Sequence, residues 1–341
     1  MIAVALSGGV DSTAAAIILH EKGEEISGFT LYLGDGIPSQ AQIDRARILC
    51  RHIGISHYLI DVSDEFHAVK DYFCNEYLVG RTPNPCAVCN RDIKFGILLD
   101  KAIELGASHV ATGHYARKAT SNGRHYLAMA HEESSQEYFL GLVSQHALEK
   151  SIFPLGDISR RDAEALAARI GLSIPRSHTS QDACFIGEKG YVSFIEHYKG
   201  LRPEAGDMLN PRGHIVGRHK GVPYYTLGQR KGLGVGLGRR VYVLDKDAGR
   251  NTITVGMQSQ WPHRGFSVRC MNFMKLESLE GIIDVRVKVR YRQKAERAVI
   301  QPTGPAEANV EYSGIFAPGQ LAVFYDDDDS ILCAGIIEYS S

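Results

Sequence analysis

The feature that most constrains this chain is a six-residue loop, SGGVDS at residues 7–12, set between an all-apolar run and an Ala-rich helical stretch. Residues 2–6 (IAVAL) carry no polar side chain, which suits a strand covered on both faces in a parallel sheet. Residues 13–22 (TAAAIILHEK) read as a helix stopped by Gly23. Gly8 and Gly9 let the backbone turn tightly and approach a ligand. The helix behind them presents unpaired N–H groups and a partial positive charge. Ser7 and Ser12 add hydroxyl donors, and Asp11 is placed to hold Mg²⁺ rather than phosphate itself. The spacing is neither the GxxxxGK[ST] loop nor GxGxxG. A capped glycine turn without a ligand is the alternative, but the strand–loop–helix context favours phosphate binding.

The same grammar continues downstream. EISGFTLYL (25–33) reads as a second strand, 39–54 as a helix closed by Gly54, and HYLIDVS (57–63) as a third strand. Residues 92–106 read as a helix closed by Gly106, SHVATGHYA (108–116) as a fourth strand, and 159–171 as a further helix. Strands alternating with helices are the signature of a doubly wound α/β domain. After about residue 200, Pro203, Gly206, Pro211, Gly213 and Gly217 punctuate short alternating segments such as RVYVLDKD and NTITVG, an all-β pattern. In DVRVKVRYR, alternation sets Val285, Val287 and Val289 on one face and Arg286, Lys288, Arg290 and Arg292 on the other. A chain of 341 residues should hold two or three domains.

Net charge is −1, but its distribution is uneven. Residues 199–250 hold 11 Lys/Arg against 4 Asp/Glu, and residues 264–297 hold 9 against 4. That asymmetry suits a polyanion-binding face, with a solvated basic surface as the alternative. An apolar content of 44% and a charged content of 23% exclude a disordered or low-complexity chain. No apolar run reaches the roughly 18 residues of a membrane span. The apolar start lacks the basic flank and core length of a signal peptide, so a cytoplasmic protein is expected.

Seven cysteines are too few for a disulfide framework. Cys50, Cys74, Cys270 and Cys333 stand among apolar neighbours and are expected in the core. Cys86 and Cys89 differ. They lie in TPNPCAVCN (82–90), which reads as a stiff, exposed loop ahead of a helix starting near Arg91. A thiol just before a helix N-terminus is expected to have a stabilised thiolate, a structural pair being the alternative. SQDACFIGE (180–188) places Cys184 95 residues beyond Cys89, and taken alone it reads equally as core or as reactive.

SGGVDS resembles the PP-loop of the ATP pyrophosphatase superfamily, whose members adenylate an oxygen and release pyrophosphate. TPNPxxxCN, ATGHYAR (111–117), CFIGE (184–188) and YYTLGQRKGLGVG (224–236), in that order, resemble the bacterial tRNA-specific 2-thiouridylases. GxTLxL near Leu31, EYFL (137–140) and VRYRQ (289–293) extend the resemblance over nearly the whole chain. It implies an α/β, doubly wound PP-loop domain (adenine nucleotide α-hydrolase-like), a small β-rich central domain and a C-terminal β-barrel. We place these at 1–195, 196–258 and 259–341. It also implies ATP-dependent conversion of a tRNA wobble uridine to 2-thiouridine through an adenylated intermediate. ATP and Mg²⁺ are the implied cofactors. The implied partners are the tRNA anticodon loop and a sulfur donor, whether a persulfide carrier, a cysteine desulfurase or sulfide.

Carried over by motif, Ala5, Leu6, Ser7, Gly8, Gly9, Val10, Asp11, Ser12, Leu31 and Gly113 would line the ATP site, and Asn84, Pro85 and Cys86 would face the target base. Cys89 would be the catalytic nucleophile and Cys184 the persulfide carrier, with Asp11 serving the adenylation step. His114, Gln136, Arg290, Tyr291 and Gln320 match positions that touch tRNA, although Ser134 and Ser135 replace a charged pair found in some members. Tyr225 or Tyr291 would stack on splayed bases. The family commonly has Asp where this chain has Cys86. Cys86, Cys89 and Cys184 then resemble the three-cysteine [4Fe–4S] site of other tRNA thiolases, and soft thiolate ligation suits iron–sulfur or zinc. A persulfide version and a cluster version of the sulfur step therefore both stand. Two other classes compete. A PP-loop synthetase or amidotransferase acting on a small molecule would share the loop but needs no paired cysteines. A non-catalytic RNA-binding protein would explain the charge but not the loop.

Overall fold

The computed structural model describes residues 1–130, 135–171, 183–236 and 238–339. Ser134 and residues 180–182 of the third cysteine motif lie outside them. The first unit runs β1 (Ile2–Ala5), α1 (Val10–Glu21), β2 (Ile26–Tyr32), α2 (Gln40–His52), β3 (His57–Asp61) and α3 (Ser63–Leu78). Next come α4 (Pro85–Cys89), a π-helix at Asn90–Ile97, α5 (Leu98–Glu104) and β4 (His109–Ala111). A hairpin of β5 (Arg117–Ser121) and β6 (Arg124–Ala128) precedes α6 (Gln145–Glu149), β7 (Ser151–Ile152), α7 (Arg160–Ala168) and α8 (Gly190–Lys199).

Strands β3-β2-β1-β4-β7 form one sheet in that order, and every pairing is parallel. Ala3 and Val4 of β1 are fully buried, as the uniform apolar run requires of a strand covered on both faces. The strand order reverses between β1 and β4. At such a switch point the loops leaving the carboxyl ends of two neighbouring strands diverge to opposite faces and open a ligand crevice. Here those loops are residues 6–12 and 112–114.

The grammar changes after α8. Strands β8 (Gly206–Leu209), β9 (Ile215–His219), β10 (Tyr242–Asp247) and β11 (Thr252–Gly256) pair in the order β10-β11-β8-β9. A closed six-stranded barrel follows, made of β12 (Gly265–Phe273), β13 (Ile283–Lys288), β14 (Glu296–Gly304), β15 (Glu307–Glu311), β16 (Leu321–Tyr325) and β17 (Ile331–Glu338). Closure leaves no unpaired edge, and the inward residues Val285, Val287, Ile300 and Phe324 fill its core. Among the described residues no helix is long and apolar enough to cross a membrane.

The barrel packs on the first unit through polar contacts as well as apolar ones. Glu137, fully buried, accepts from Lys288 Nζ at 2.8 Å and from the Tyr325 hydroxyl at 2.8 Å. Arg81, ahead of α4, pairs with Glu338 of β17, which also holds Arg269. Gln320 Nε2 donates to the carbonyls of Thr82 and Pro83, both at 3.0 Å. The barrel therefore pins the approach to the cysteine helix.

Four local expectations need correction. Residues 82–85 are buried, and Pro85–Cys89 is helical, because Asn84 caps Ala87 N–H at 3.1 Å and proline suits the first helical turn. Strand β13 stops at Lys288. Its polar face is already engaged, Arg286 by Asp329 and Lys288 by Glu137. Tyr225 is buried in the central-domain core and offers no stacking face. Cys270 is exposed, at a left-handed φ of 52° beside an irregularity in the β12–β17 pairing, whereas Cys50, Cys74 and Cys333 are core residues as expected.

Candidate active site

The loop after β1 is tied by its own side chains. Ser7 N–H donates to Ser12 Oγ at 3.2 Å, and Ser12 Oγ donates to the Gly9 carbonyl at 3.1 Å. Gly8 takes a left-handed φ of 70°, and a Cβ there would stand 2.1 Å from the Gln42 carbonyl oxygen, so only glycine fits. Gly9 begins α1 with no side chain capping the helix, which leaves its first N–H groups facing the crevice. Gly113, after β4, packs directly on this loop. A Cβ on it would lie 2.7 Å from the Asp11 carbonyl carbon. Leu31, on β2, is half-buried beside the same sheet end.

Asp11 accepts a hydrogen bond from the Tyr115 hydroxyl at 2.8 Å. Burial raises its carboxyl above the ordinary range, while Tyr115 and the charge of Arg160 on α7 oppose that shift. A partly buried carboxylate at the mouth of an anion-binding loop is a suitable ligand for Mg²⁺.

The thiols form the second half of the site. Cys86 and Cys89 sit one helical turn apart on α4, Cys86 exposed and Cys89 buried. Phe185 carries Cys184 to them. Its ring lies edge-on to Phe66 and Phe73, at 5.8 and 5.2 Å, in the cluster that also holds Val88, Cys89 and Ile93. The charges of Cys86 and Cys184 act on Cys89, and that of Cys184 acts on Cys86. Burial is the largest influence on all three thiols and pushes Cys89 up to about 12. The expectation of a stabilised thiolate at a helix start is thus reversed. Cys89 ends a short helix that runs on into a π-helix, so it lies away from any free N-terminus. Among the described residues no three His, Cys, Asp or Glu side chains gather as a metal-ligand group, so of the two versions of the sulfur step left open by the sequence, cluster ligation by Cys86, Cys89 and Cys184 is the one this arrangement does not fit.

The chain matches three family models in sequence. Residues 1–188 match a tRNA methyl transferase HUP domain, 192–257 a tRNA methyl transferase PRC-barrel domain, and 263–337 an aminomethyltransferase beta-barrel domain. It is 38% identical to tRNA-specific 2-thiouridylase MnmA 1 of Caldanaerobacter subterraneus, covering 99% of this chain and 97% of that protein. It is 39% identical to MnmA of Pelobacter propionicus, covering 96% and 95%. The chain belongs to the tRNA-specific 2-thiouridylase family. Among solved structures, a U34-tRNA thiolase NcsA from Methanococcus maripaludis with its [4Fe-4S] cluster aligns at 23% identity over 58% of this chain and 64% of that one. Its TM-score is only 0.34.

For a 2-thiouridylase, the residues expected to touch tRNA fall in distinct environments. His114 hydrogen-bonds Thr112 Oγ1 at 2.8 Å, and burial, helped by Lys94, holds its imidazole well below the usual range and so neutral. Gln136 is doubly tied to Tyr115, its backbone N–H to the Tyr115 carbonyl and its side-chain oxygen to the Tyr115 N–H. Tyr291 packs on Phe139 at 4.5 Å between ring centres, and Arg290 is exposed in the turn after β13. Gln320 spends its amide on Thr82 and Pro83, and Asn84 spends its oxygen on the helix cap. Sequence reasoning missed Tyr115 as the partner of Asp11, although it lies within ATGHYAR, and missed Lys94, whose placement depends on the π-helix.

Proposed function

We propose that this chain is a tRNA-uridine 2-sulfurtransferase that uses ATP to replace the C2 oxygen of a tRNA wobble uridine with sulfur, in the cytoplasm. What supports the reading is an anion-binding loop after β1 together with thiols brought together from two distant segments, in a chain whose family carries that name. A small-molecule synthetase would share the loop but has no use for a thiol pair such as Cys89 and Cys184.

The first step transfers AMP to the C2 oxygen, turning a poor leaving group into a good one and releasing pyrophosphate. Gly8, Gly9 and the first N–H groups of α1 would bind the phosphates, and Gly113 closes the crevice behind them. Asp11, oriented by Tyr115, would hold Mg²⁺, which supplies charge neutralisation on the phosphates. In the second step a terminal sulfur carried as a persulfide on Cys184 attacks C2, the C2–O bond breaks, and AMP leaves. The Cys89 thiolate then attacks Cys184 Sγ. The persulfide S–S bond breaks with its electron pair staying on the sulfur now bonded to C2, and a Cys89–Cys184 disulfide remains. A thiol reductant restores both cysteines. No step is assigned to an iron–sulfur cluster, because the thiols do not form a ligand group.

Exposed Arg290 and the basic segments of the central domain and barrel would hold tRNA phosphates. The test is pyrophosphate release from ATP with and without tRNA, beside mass-spectrometric detection of 2-thiouridine. Release that needs tRNA and yields the thiolated base supports the reading. Release without tRNA overturns it in favour of the synthetase. Iron and sulfide retained stoichiometrically by anaerobically purified protein would overturn the persulfide route alone.

A further inference from the structure

We propose that Arg45, on α2, is a positioning residue of the nucleotide step: it holds the Gly8–Gly9 peptide with its N–H turned into the phosphate crevice. The inference rests on the reading of residues 7–12 as a phosphate loop and adds a residue to which no role there is assigned.

Gly8 and Gly9 are the one Gly–Gly pair in the chain. A peptide plane between two glycines turns over at little steric cost, because neither flanking residue carries a Cβ. In a planar trans peptide the Gly8 carbonyl and the Gly9 N–H point in opposite directions, so turning the plane over exchanges them. One orientation offers a donor to an anion. The other offers a carbonyl oxygen that repels it. The loop's own residues do not choose between the two.

Helix α2 makes the choice. Its first turn is fixed by Gln42, whose side-chain oxygen accepts from Ser39 N–H at 2.9 Å. The Gln42 carbonyl oxygen lies against Gly8, 2.1 Å from where a Cβ would stand. Arg45 follows Gln42 by three residues and so shares its face. Its Nε donates to the Gly8 carbonyl at 2.9 Å. In the sheet, β2 and β3, which α2 joins, lie on one side of β1, and β4 with its loop 112–114 lies on the other. With its carbonyl turned to α2, the peptide turns Gly9 N–H away from α2 and towards the crevice. That N–H has no partner among the described residues. Neighbouring Asp44 is engaged by Gln40 and Arg47, and the half-buried Arg45 makes no ion pair among the described residues. Its charge therefore stays beside a loop that receives a polyanion.

The single Gly–Gly pair makes this peptide observable without turnover. In full-length protein made with glycine labelled at its carbonyl carbon and its nitrogen, an NMR experiment that correlates an amide with the preceding carbonyl reports the Gly8 carbonyl and the Gly9 amide. Titration with inorganic pyrophosphate, then with ATP, should move the Gly9 amide signal of the unaltered protein. Arg45→Met should shift the Gly8 carbonyl signal before any ligand is added and weaken both ligands by about tenfold or more, the loss of one hydrogen bond to a charged group. Arg45→Lys, which keeps a donor and the charge, should recover part of the affinity and part of the carbonyl shift. Filter binding of tRNA should be the same in all three proteins, which shows that each is folded. Unchanged carbonyl signal and affinity in Arg45→Met overturn the proposal. Weakened binding with an unchanged carbonyl signal also overturns it, since Arg45 would then act through its charge alone. Absence of tRNA-dependent pyrophosphate release in the unaltered protein would overturn the thiolation reading while leaving the titrations to decide Arg45. Unaltered protein that binds neither pyrophosphate nor ATP would overturn both.

Discussion

At the residue scale, the site separates a nucleotide step from a sulfur step, and single substitutions should separate them too. Asp11→Ala removes a carboxylate held by Tyr115 at the loop mouth but touches none of the basic segments. It should abolish pyrophosphate release while leaving tRNA binding intact, as filter binding would report. The cysteines divide differently. Cys89→Ala and Cys184→Ala should abolish thiolation. Cys86 carries no bond-making role in the persulfide route, so Cys86→Ala should keep at least about half of the thiolation rate when persulfide is supplied. Loss of activity in Cys86→Ala together with loss of bound iron would return the cluster route to first place.

Single elements set how side chains are aimed. The π-helix at Asn90–Ile97 is one example, since its wider winding changes which of its residues share a face. Strand β10 is another. Its pairing register with β11 shifts between Val243 and Asp245, and Lys246 is buried with its Nζ donating to the Tyr225 carbonyl at 2.9 Å. Burial lowers that amine to about 8. As pH falls from about 10.4 towards 8, the unfolded chain takes up a proton that the folded chain refuses, so folding stability is lost over that window and stays lost below it. Lys246→Met should therefore stabilise the protein most at pH 7, by up to about 3 kcal/mol. The gain should shrink towards zero by pH 10. Urea unfolding at the two pH values checks both the sign and the trend.

On the scale of the whole molecule, the barrel does two jobs. It closes over the first unit through the buried Glu137–Lys288–Tyr325 contact, and it presents the turn bearing Arg290 and Tyr291 beside Phe139. Lys288→Met leaves Glu137 buried without its cation and should cost about 3–5 kcal/mol, read as a lowered denaturant midpoint. Adding Glu137→Gln should recover part of the loss, because the uncompensated charge is then gone. Arg290 stands outside this network. Arg290→Ala should weaken tRNA binding with little change in stability and should reduce the slope of log affinity against log salt by about 1. An unchanged slope would move the RNA face elsewhere.

The sequence by itself determined the alternation of strands and helices, the phosphate loop, the change of grammar near residue 200 and the family. Each of these is written in local pattern: apolar period, glycine punctuation and motif order. It did not determine the state of Cys89. A Pro-Asn-rich stretch reads as an exposed loop until Asn84 is seen capping a helix and Phe185, from a motif far along the chain, is seen packing in one cluster with Val88 and Cys89. Burial then reverses the sign of the thiol's shift. Nor did alternation on β13 reveal that Lys288 serves Glu137 rather than RNA, or that Gln320 and Tyr225 are occupied within the protein. Local pattern reports which face of an element is polar. Only the tertiary structure decides whether water, another side chain or a ligand lies against that face, because desolvation and pairing depend on segments distant in sequence.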